Sequence, residues 1–290
     1  MSLQSGKKAV GCRWVYAIKV GPNGQVDQLK ARLVAKGYTQ VYDLDYCDTF
    51  SPVAKITTIR LFFAMVAIRH WPLHQLDIKN AFLHGDLEEE VYMEQSPGFV
   101  AQGESGMVCK LHRSLYGLKQ SPRAWFGKFN SIVQKFGLRR NEADHSVFYK
   151  HTSPRKCVYL IVYVDDIVIT GNDTAGISHL QEHLCRHFQT KDFGSLKYFL
   201  GTEVAQSKDG VVISQRKYAL DILQKTCMID CRPVDSPMDP NQKLTIEEGE
   251  LFFDPERYRR LVGKLIYLTI TRPDLSFHQY SNGFWLRLFL

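Results

Sequence analysis

The stretch from Cys157 to Gly171 reads CVYLIVYVDDIVITG, two runs of Val, Ile, Leu and Tyr on either side of Asp165-Asp166. Short apolar runs rich in β-branched residues read as strands. Aspartate tolerates the backbone angles of a tight two-residue turn, so the stretch predicts a hairpin with two carboxylates at its tip. Apolar residues on both sides of each strand place that hairpin centrally in a sheet. An Asp-Asp pair is most simply a turn and nothing more. Against that plain reading, apolar residues run right up to the pair, which puts it on the rim of a core, where Gly or Asn would make a plain turn more cheaply.

A second acid occupies the same kind of place. Leu73-His74-Gln75-Leu76-Asp77-Ile78 is a short apolar strand with an aspartate at its end. Two strand ends in one sheet would bring Asp77, Asp165 and Asp166 together, although spacing alone leaves their convergence open. Three such oxygen donors suit Mg²⁺, which keeps several waters and leaves room for phosphate oxygens. Two ions about 3.5–4 Å apart would activate a 3′-hydroxyl and stabilise a pyrophosphate leaving group.

The elements around these acids mix helices and strands without strict alternation. Cys12 to Val20 and Gln25 to Ala35 read as a hairpin around Gly21-Pro22-Asn23-Gly24. Helices are expected over Ile56 to His70, Ser121 to Phe136 with Pro122 in the first turn, and Ala175 to Phe188. Leu196 to Ala205 and Val211 to Ser214 read as a further hairpin, and Ser214 as the cap of a helix reaching Thr226. The Pro- and Asp-rich stretch from Ile229 to Glu250 reads as a long loop, followed by a last helix over Asp254 to Leu268. The fold class implied is α+β.

Bulk composition excludes some classes. Of 290 residues, 44% are hydrophobic and 23% charged, enough to build a sizeable core rather than a disordered chain. The formal net charge of +7 fits a phosphate-rich partner but does not require one. Its placement says more: Lys7, Lys8, Arg13, Lys19, Lys30, Arg32 and Lys36 precede Tyr38 with Asp27 as their one acid. That pattern is either a solvated strand surface or a basic wall facing phosphates. Seven scattered cysteines without a CxxC pair argue against a disulfide framework and a structural zinc site, and for a reducing compartment. The N-terminal MSLQSGKKAVG holds no apolar signal segment. The run Leu61 to Ile68, flanked by Arg60 and Arg69, is far short of the ~20 residues that cross a bilayer and reads as a buried helix. No membrane is expected as a partner.

Tyr163 to Asp166, YVDD, resembles the catalytic box of reverse transcriptases. The wider wording is similar to the Ty1/copia class: KARLVAKGYTQ from Lys30, TFSPVAK from Thr49, LDIKNAFLHGDLEEEVYMEQSPGF from Leu76, LYGLKQSPRAW from Leu115 and YFLGTEV from Tyr198. These stretches follow the family's order from about Lys7 to Phe277. The resemblance implies a right-hand polymerase with fingers and a palm built on a mixed or antiparallel sheet. It matches Asp77, Asp165 and Asp166 to the catalytic carboxylates, with the Ile78 carbonyl also reaching a metal. It implies two Mg²⁺ ions as cofactor, with Mn²⁺ able to replace them. Lys30 and Arg32 fall where fingers residues meet the incoming triphosphate, and Phe82 where an aromatic ring excludes a 2′-hydroxyl. Gly117, Lys119 and Gln120 lie in the template- and nucleotide-contacting segment, Leu200, Gly201 and Thr202 in the primer grip, and Lys191 near the triphosphate as a proton donor. Phe82, Lys30 and Arg32 also have plain readings, as a core ring and as exposed strand charges.

The implied activity is RNA-directed DNA polymerisation from dNTPs on an RNA or DNA template with a primer. The implied location is cytoplasmic, in virus-like particles, with nuclear access open. Residues 1–240 are expected to form the fingers and palm, and 241–290 a partial thumb or connection, because HQYSNGFWLRLFL after Phe277 does not continue the family's wording. The thumb is then truncated, and the protease, integrase and RNase H regions of the family's polyprotein are missing. Two further hypotheses remain beside a working polymerase: an inactive transposon relic that at most binds nucleic acid, and another two-metal nucleotidyl enzyme such as a cyclase. His179 to His183 also matches the HxxEH zinc-protease pattern, but on an amphipathic helix with His187 it reads as a polar face. Trp14, Trp71 and Trp125 read as core residues, and Asp86 to Glu90 as a solvated acidic loop.

Overall fold

The computed structural model describes residues 1–21, 23–100, 106–233, 253–269 and 271–272. The chain divides into two compact units, residues 1–195 and 196–290. The expected domain boundary at 240/241 and the tail after Phe277 lie outside the described residues. The architecture is α+β, and every pairing between its named strands is antiparallel.

In the first unit, β1 (Cys12–Val20) and β2 (Val26–Ala35) form a two-stranded ribbon. Helix α1 (Ile56–Arg69) follows, then β3 (Leu73–Ile78), β4 (Asp86–Glu94), β5 (Val108–Arg113) and α2 (Ser121–Lys135). The unit ends with β6 (Arg139–Arg140), β7 (Val147–Ser153), β8 (Lys156–Tyr163), β9 (Asp166–Gly171), α3 (Thr174–His187) and β10 (Thr190–Ser195). Six of these strands make one sheet in the order β10-β3-β9-β8-β7-β6, with the predicted β8–β9 hairpin in its centre.

One face of this sheet explains why its strands lack alternation. Leu76, Ile78, Leu160, Val162, Ile167 and Ile169 pack with Trp125, Phe129, Ile132 and Val133 of α2 and with Ile177, Leu180 and Leu184 of α3. Each fully buried side chain of this size contributes about 1.5–3 kcal/mol of transfer free energy. The helices show the matching stripe of one residue in three or four. Asp173 caps α3 by accepting the Gly176 N–H at 3.1 Å. On the opposite face Thr170 and Val168 are also buried, and Trp71 stacks on Tyr159 at 5.8 Å. Burial on that face ends at the Asp77 and Asp166 end of the strands, where the side chains are only partly covered.

The second unit holds β11 (Tyr198–Phe199), β12 (Thr202–Ser207), β13 (Gly210–Ser214), α4 (Arg216–Lys225) and α5 (Pro255–Leu268). Phe199, Val204 and Ile222 form its buried centre.

Four expectations need correction. Leu196 to Ala205 is not one strand: Leu200 and Gly201 both have positive φ and make a two-residue hairpin turn between β11 and β12. Asp86 to Glu90 is not a loop but the start of β4, its acids paired with Arg123 and Lys128 of α2 and with Lys110 of β5. The helix expected from Ser214 begins at Arg216, since Ser214 closes β13 and its hydroxyl accepts the Arg216 N–H instead. Helix α1 buries Phe62, Phe63 and Val66 on one side only, leaving Leu61 and Ile68 exposed. Among the described residues no helix is long and apolar enough to cross a membrane. On α3 the HxxEH residues have ordinary partners: His183 meets the Ile132 carbonyl at 3.1 Å and Glu182 pairs with Arg186.

The ribbon is rooted on the segment 115–118. The Ala35 N–H donates to the Tyr116 carbonyl at 2.7 Å. Gly117 sits at φ +93°, and a Cβ there would lie 2.1 Å from the Ala35 carbonyl oxygen. A side chain therefore meets both backbone strain and rigid backbone. Gly117→Ala is expected to lower stability by about 2–4 kcal/mol in urea unfolding; an unchanged midpoint would show that the root can open without cost.

Candidate active site

The register brings the expected acids onto one face. Directly opposed residues of an antiparallel pair share a face. Lys191 of β10 opposes Asp77 of β3, Asp77 opposes Asp166 of β9, and Asp166 opposes Tyr163 of β8. The four form a single row across the sheet, at the end where its outer face opens. Gln75, two residues before Asp77 and so on the same face, donates from Nε2 to Asp166 Oδ1 at 3.3 Å.

The turn itself is shifted by one residue from the expected one. Because Tyr163 pairs with Asp166, the two loop residues are Val164 and Asp165, and Asp166 already belongs to the strand. Val164 has φ +56°, whereas Asp165 is not among the residues of positive φ, the pattern of a type II′ turn. Glycine normally fills the first position of such a turn, and a β-branched residue there stores strain of about 1–3 kcal/mol. Two hydrogen bonds hold it. Trp125, buried in α2, donates its indole N–H to the Val164 carbonyl at 2.8 Å, and the Ile78 N–H donates to the Asp165 carbonyl at 2.9 Å. The core tryptophan thus has its polar edge spent on the turn.

The field at the row is mixed. Burial, and then the Asp165 carboxylate, push the Asp77 carboxyl above its ordinary range, while Lys191, Lys79 and Lys30 pull it down. Burial raises Asp166 likewise, with Asp165 and Asp77 adding to it and the Gln75 hydrogen bond opposing. Hence Lys30 of the ribbon is felt at Asp77. Arg32 lies on the same ribbon face, since the two are separated by one residue, and its guanidinium stands 5.9 Å over the Tyr116 ring.

Phe82 follows β3 on a short 3₁₀ turn from Ala81 to His84, entered through Asn80 in the left-handed region. The carbonyl of Phe82 accepts from the Gly85 N–H and the Ser114 hydroxyl, and its ring meets Tyr116 edge-on at 5.4 Å. Burial raises the Tyr116 phenol above its usual range; Arg32 lowers it, and Asp165 and Asp77 raise it. Lys119 and Gln120 turn toward the segment 40–46. The Lys119 ammonium donates to the Tyr46 hydroxyl, and the buried Gln120 amide bonds Gln40 and the Asp45 carbonyl. Leu200, Gly201 and Thr202 form the turn of the second unit, where Tyr267 donates its hydroxyl to the Leu200 carbonyl. Sequence reasoning passed over Gln75, Trp125 as a partner of the turn, and Tyr116, although Tyr116 stands beside the Gly117 it had singled out.

The carboxylates of Asp77, Asp165 and Asp166 at this sheet end are hard oxygen donors, of the kind a divalent cation takes. Their mutual repulsion is what such a cation would relieve. Among the described residues, no three acidic, His or Cys side chains are already drawn into a metal-binding cluster.

Two outcomes follow from this geometry. Trp125→Phe removes the donor to Val164 and leaves a strained turn with an unpaired carbonyl; a loss of about 1–3 kcal/mol in urea unfolding is expected, and no loss would mean the turn stands by itself. A carboxyl raised in the folded state makes folding take up protons, so stability falls as pH rises from 3.8 through the raised range, and the cost is fully present above it. Asp166→Asn should therefore raise Tm at pH 7 in metal-free buffer, with the gain shrinking as pH falls toward 3.8. A gain independent of pH would contradict that origin.

Comparison with known proteins shows the family of the chain. The family described as reverse transcriptase (RNA-dependent DNA polymerase) matches residues 1–240. A retrovirus-related Pol polyprotein from transposon RE2 of Arabidopsis thaliana is 46% identical over 268 residues, covering 92% of this chain and 18% of the relative. The corresponding polyprotein from transposon TNT 1-94 of Nicotiana tabacum is 38% identical, covering 95% of this chain and 22% of its own length. A putative transposon Ty5-1 protein of Saccharomyces cerevisiae is 28% identical over 70% of the chain and 66% of its own length. The chain spans about a fifth of the first two polyproteins. It belongs to the reverse transcriptase (RNA-dependent DNA polymerase) family, on the Ty1/copia branch of retrotransposon Pol polyproteins.

Proposed function

We propose that this chain carries out RNA-directed DNA polymerisation, adding a nucleotidyl group from a dNTP to the 3′-hydroxyl of a primer annealed to an RNA or DNA template. The observation that carries the proposal is the row Lys191–Asp77–Asp166 with Asp165 at its turn, with Lys30 of the ribbon acting on Asp77. In this reading the six-stranded sheet is the palm and the ribbon belongs to the fingers. The 3′-oxygen forms a bond to the α-phosphorus, the bond from that phosphorus to the β-phosphate oxygen breaks, and pyrophosphate leaves.

Asp77, Asp165 and Asp166, with the Ile78 carbonyl, would hold two Mg²⁺ ions. When bound, these supply charge stabilisation at the attacking and leaving oxygens. Lys30 and Arg32 bind the triphosphate from the ribbon, in Arg32's case through a planar fork of donors. Lys191, beside Asp77, gives a proton to the departing pyrophosphate. The Phe82 ring stands where a 2′-hydroxyl would go and so favours deoxynucleotides. Gly117 brings its segment close to the ribbon, with Lys119 and Gln120 bracing that segment, and the turn at Leu200, Gly201 and Thr202 holds the primer.

Incorporation of dTTP on poly(rA)/oligo(dT) with Mg²⁺ tests this reading. Extension is expected from the wild type and should fall at least about a hundredfold in Asp165→Asn, since a metal ligand serves several kcal/mol of transition-state stabilisation. A folded chain that binds RNA–DNA duplex in a salt-sensitive way and extends nothing would be a nucleic-acid-binding relic instead.

A further inference from the structure

Tyr116 has no part in the reading above, yet two of its residues, Phe82 and Arg32, meet at this one ring. Phe82 meets it in a T-shaped pair, with centroids 5.4 Å apart and planes at 73°. The Arg32 guanidinium lies over the ring at 5.9 Å. Its own backbone is tied to the ribbon, because the Tyr116 carbonyl accepts the Ala35 N–H at 2.7 Å. The side chain is half-buried, so it is restrained on these sides and open on another.

An aromatic ring restrains such neighbours in a way an aliphatic group cannot. Its negative face attracts the guanidinium, and the T-shaped arrangement with Phe82 joins the edge of one ring to the face of the other. We propose that Tyr116 is a specificity-determining positioning residue, whose ring sets both the pose of Phe82 toward the sugar and the reach of Arg32 toward the triphosphate. The inference rests on the polymerase reading of the site. It couples two recognition tasks that are otherwise separate. A nucleotide that displaces Phe82 also disturbs the support of Arg32, so rejection of a ribose is felt at the phosphates. The ring and not the hydroxyl carries the effect. Tyr116→Phe keeps the π-system, whereas Tyr116→Leu keeps only bulk.

The test is steady-state incorporation of dTTP and of UTP on poly(rA)/oligo(dT) by the full chain and both variants. For Tyr116→Leu, KM for dTTP is expected to rise and the preference for dTTP over UTP to fall, each about tenfold, with kcat changed far less. Tyr116→Phe should restore both values to within about threefold of wild type. Unchanged KM and preference in Tyr116→Leu would overturn the proposal. So would Tyr116→Phe behaving like Tyr116→Leu, or a uniform fall in kcat alone. Calorimetric binding of Mg²⁺-dTTP separates this from failure of the polymerase reading. If the wild type binds but does not extend, about tenfold weaker binding by Tyr116→Leu, restored in Tyr116→Phe, still supports the inference. Equal binding by all three, or binding by none, overturns it.

Discussion

The hydrogen bond from the Trp125 indole to the Val164 carbonyl ties the buried core to a strained turn. Trp125 is 2% exposed and packs between Phe129 and Phe188. Its position is set by the core and not by the site. Val164 at positive φ would relax if it were free to do so, because a β-branched residue is disfavoured there. It is not free. The indole holds one side of the turn, and the Ile78 N–H holds the Asp165 carbonyl on the other. The site is therefore built as an extension of the core: packing of α2 against the sheet fixes the indole, the indole fixes the turn, and the turn presents Asp165 beside the row of Asp77 and Asp166. Strain of this kind persists only where surrounding contacts over-determine it.

The charge distribution has the same logic. Burial of two carboxylates at one end of a sheet holds Asp77 and Asp166 above their ordinary range, and the neighbouring carboxylates add to it. Counter-charge comes from three separate places: Lys30 on the ribbon, Lys79 just after β3, and Lys191 on β10. Lys191 is locked into the row by strand pairing, while Lys30 depends on how the ribbon lies. Two of the three cations, Lys79 and Lys191, thus come with the sheet that carries the acids, and the third comes from the ribbon. An anionic triphosphate entering between ribbon and row would meet cations first. Divalent ions in the same space would offset the repulsion among the carboxylates.

Much of this was legible in the sequence because local patterning and tertiary placement agree. The strands Cys12–Val20 and Leu73–Ile78 have the expected limits, and α2 and α3 differ by a residue at their ends. The centrality of β8 and β9 followed from the lack of polar alternation, which the buried faces at Leu160 and Ile161 explain. The tight turn was placed one residue late, because aspartate is the better turn former and nothing local shows that Val164 is forced into positive φ by a tryptophan 39 residues away. The acids of β4 were taken for a solvated loop for a related reason. Asp86, Glu88 and Glu89 pair with Arg123 and Lys128, which lie more than thirty residues downstream. At Leu200-Gly201 a run of strand-like residues hid a turn, since leucine is not expected at positive φ. In each case the deciding partner is remote in sequence, where periodicity carries no information.

The segment 115–118 shows why an active site of this kind needs glycine at a particular place. A two-stranded ribbon is marginal on its own and takes its direction from whatever its root is packed on. Here the root rests backbone to backbone: Gly37 faces the Gly117 carbonyl and Gly117 faces the Ala35 carbonyl, with no room for a Cβ at either. That closeness puts Tyr116 under Arg32 and beside Phe82. Any side chain at Gly117 would lift the ribbon from the segment, and with it the cations, while leaving the acidic row untouched, since the row depends on strand register alone. The acids of this site and the cations of the ribbon are thus positioned by independent means, the first by the sheet and the second by a glycine contact. Their alignment is a property of the junction between them and not of either element.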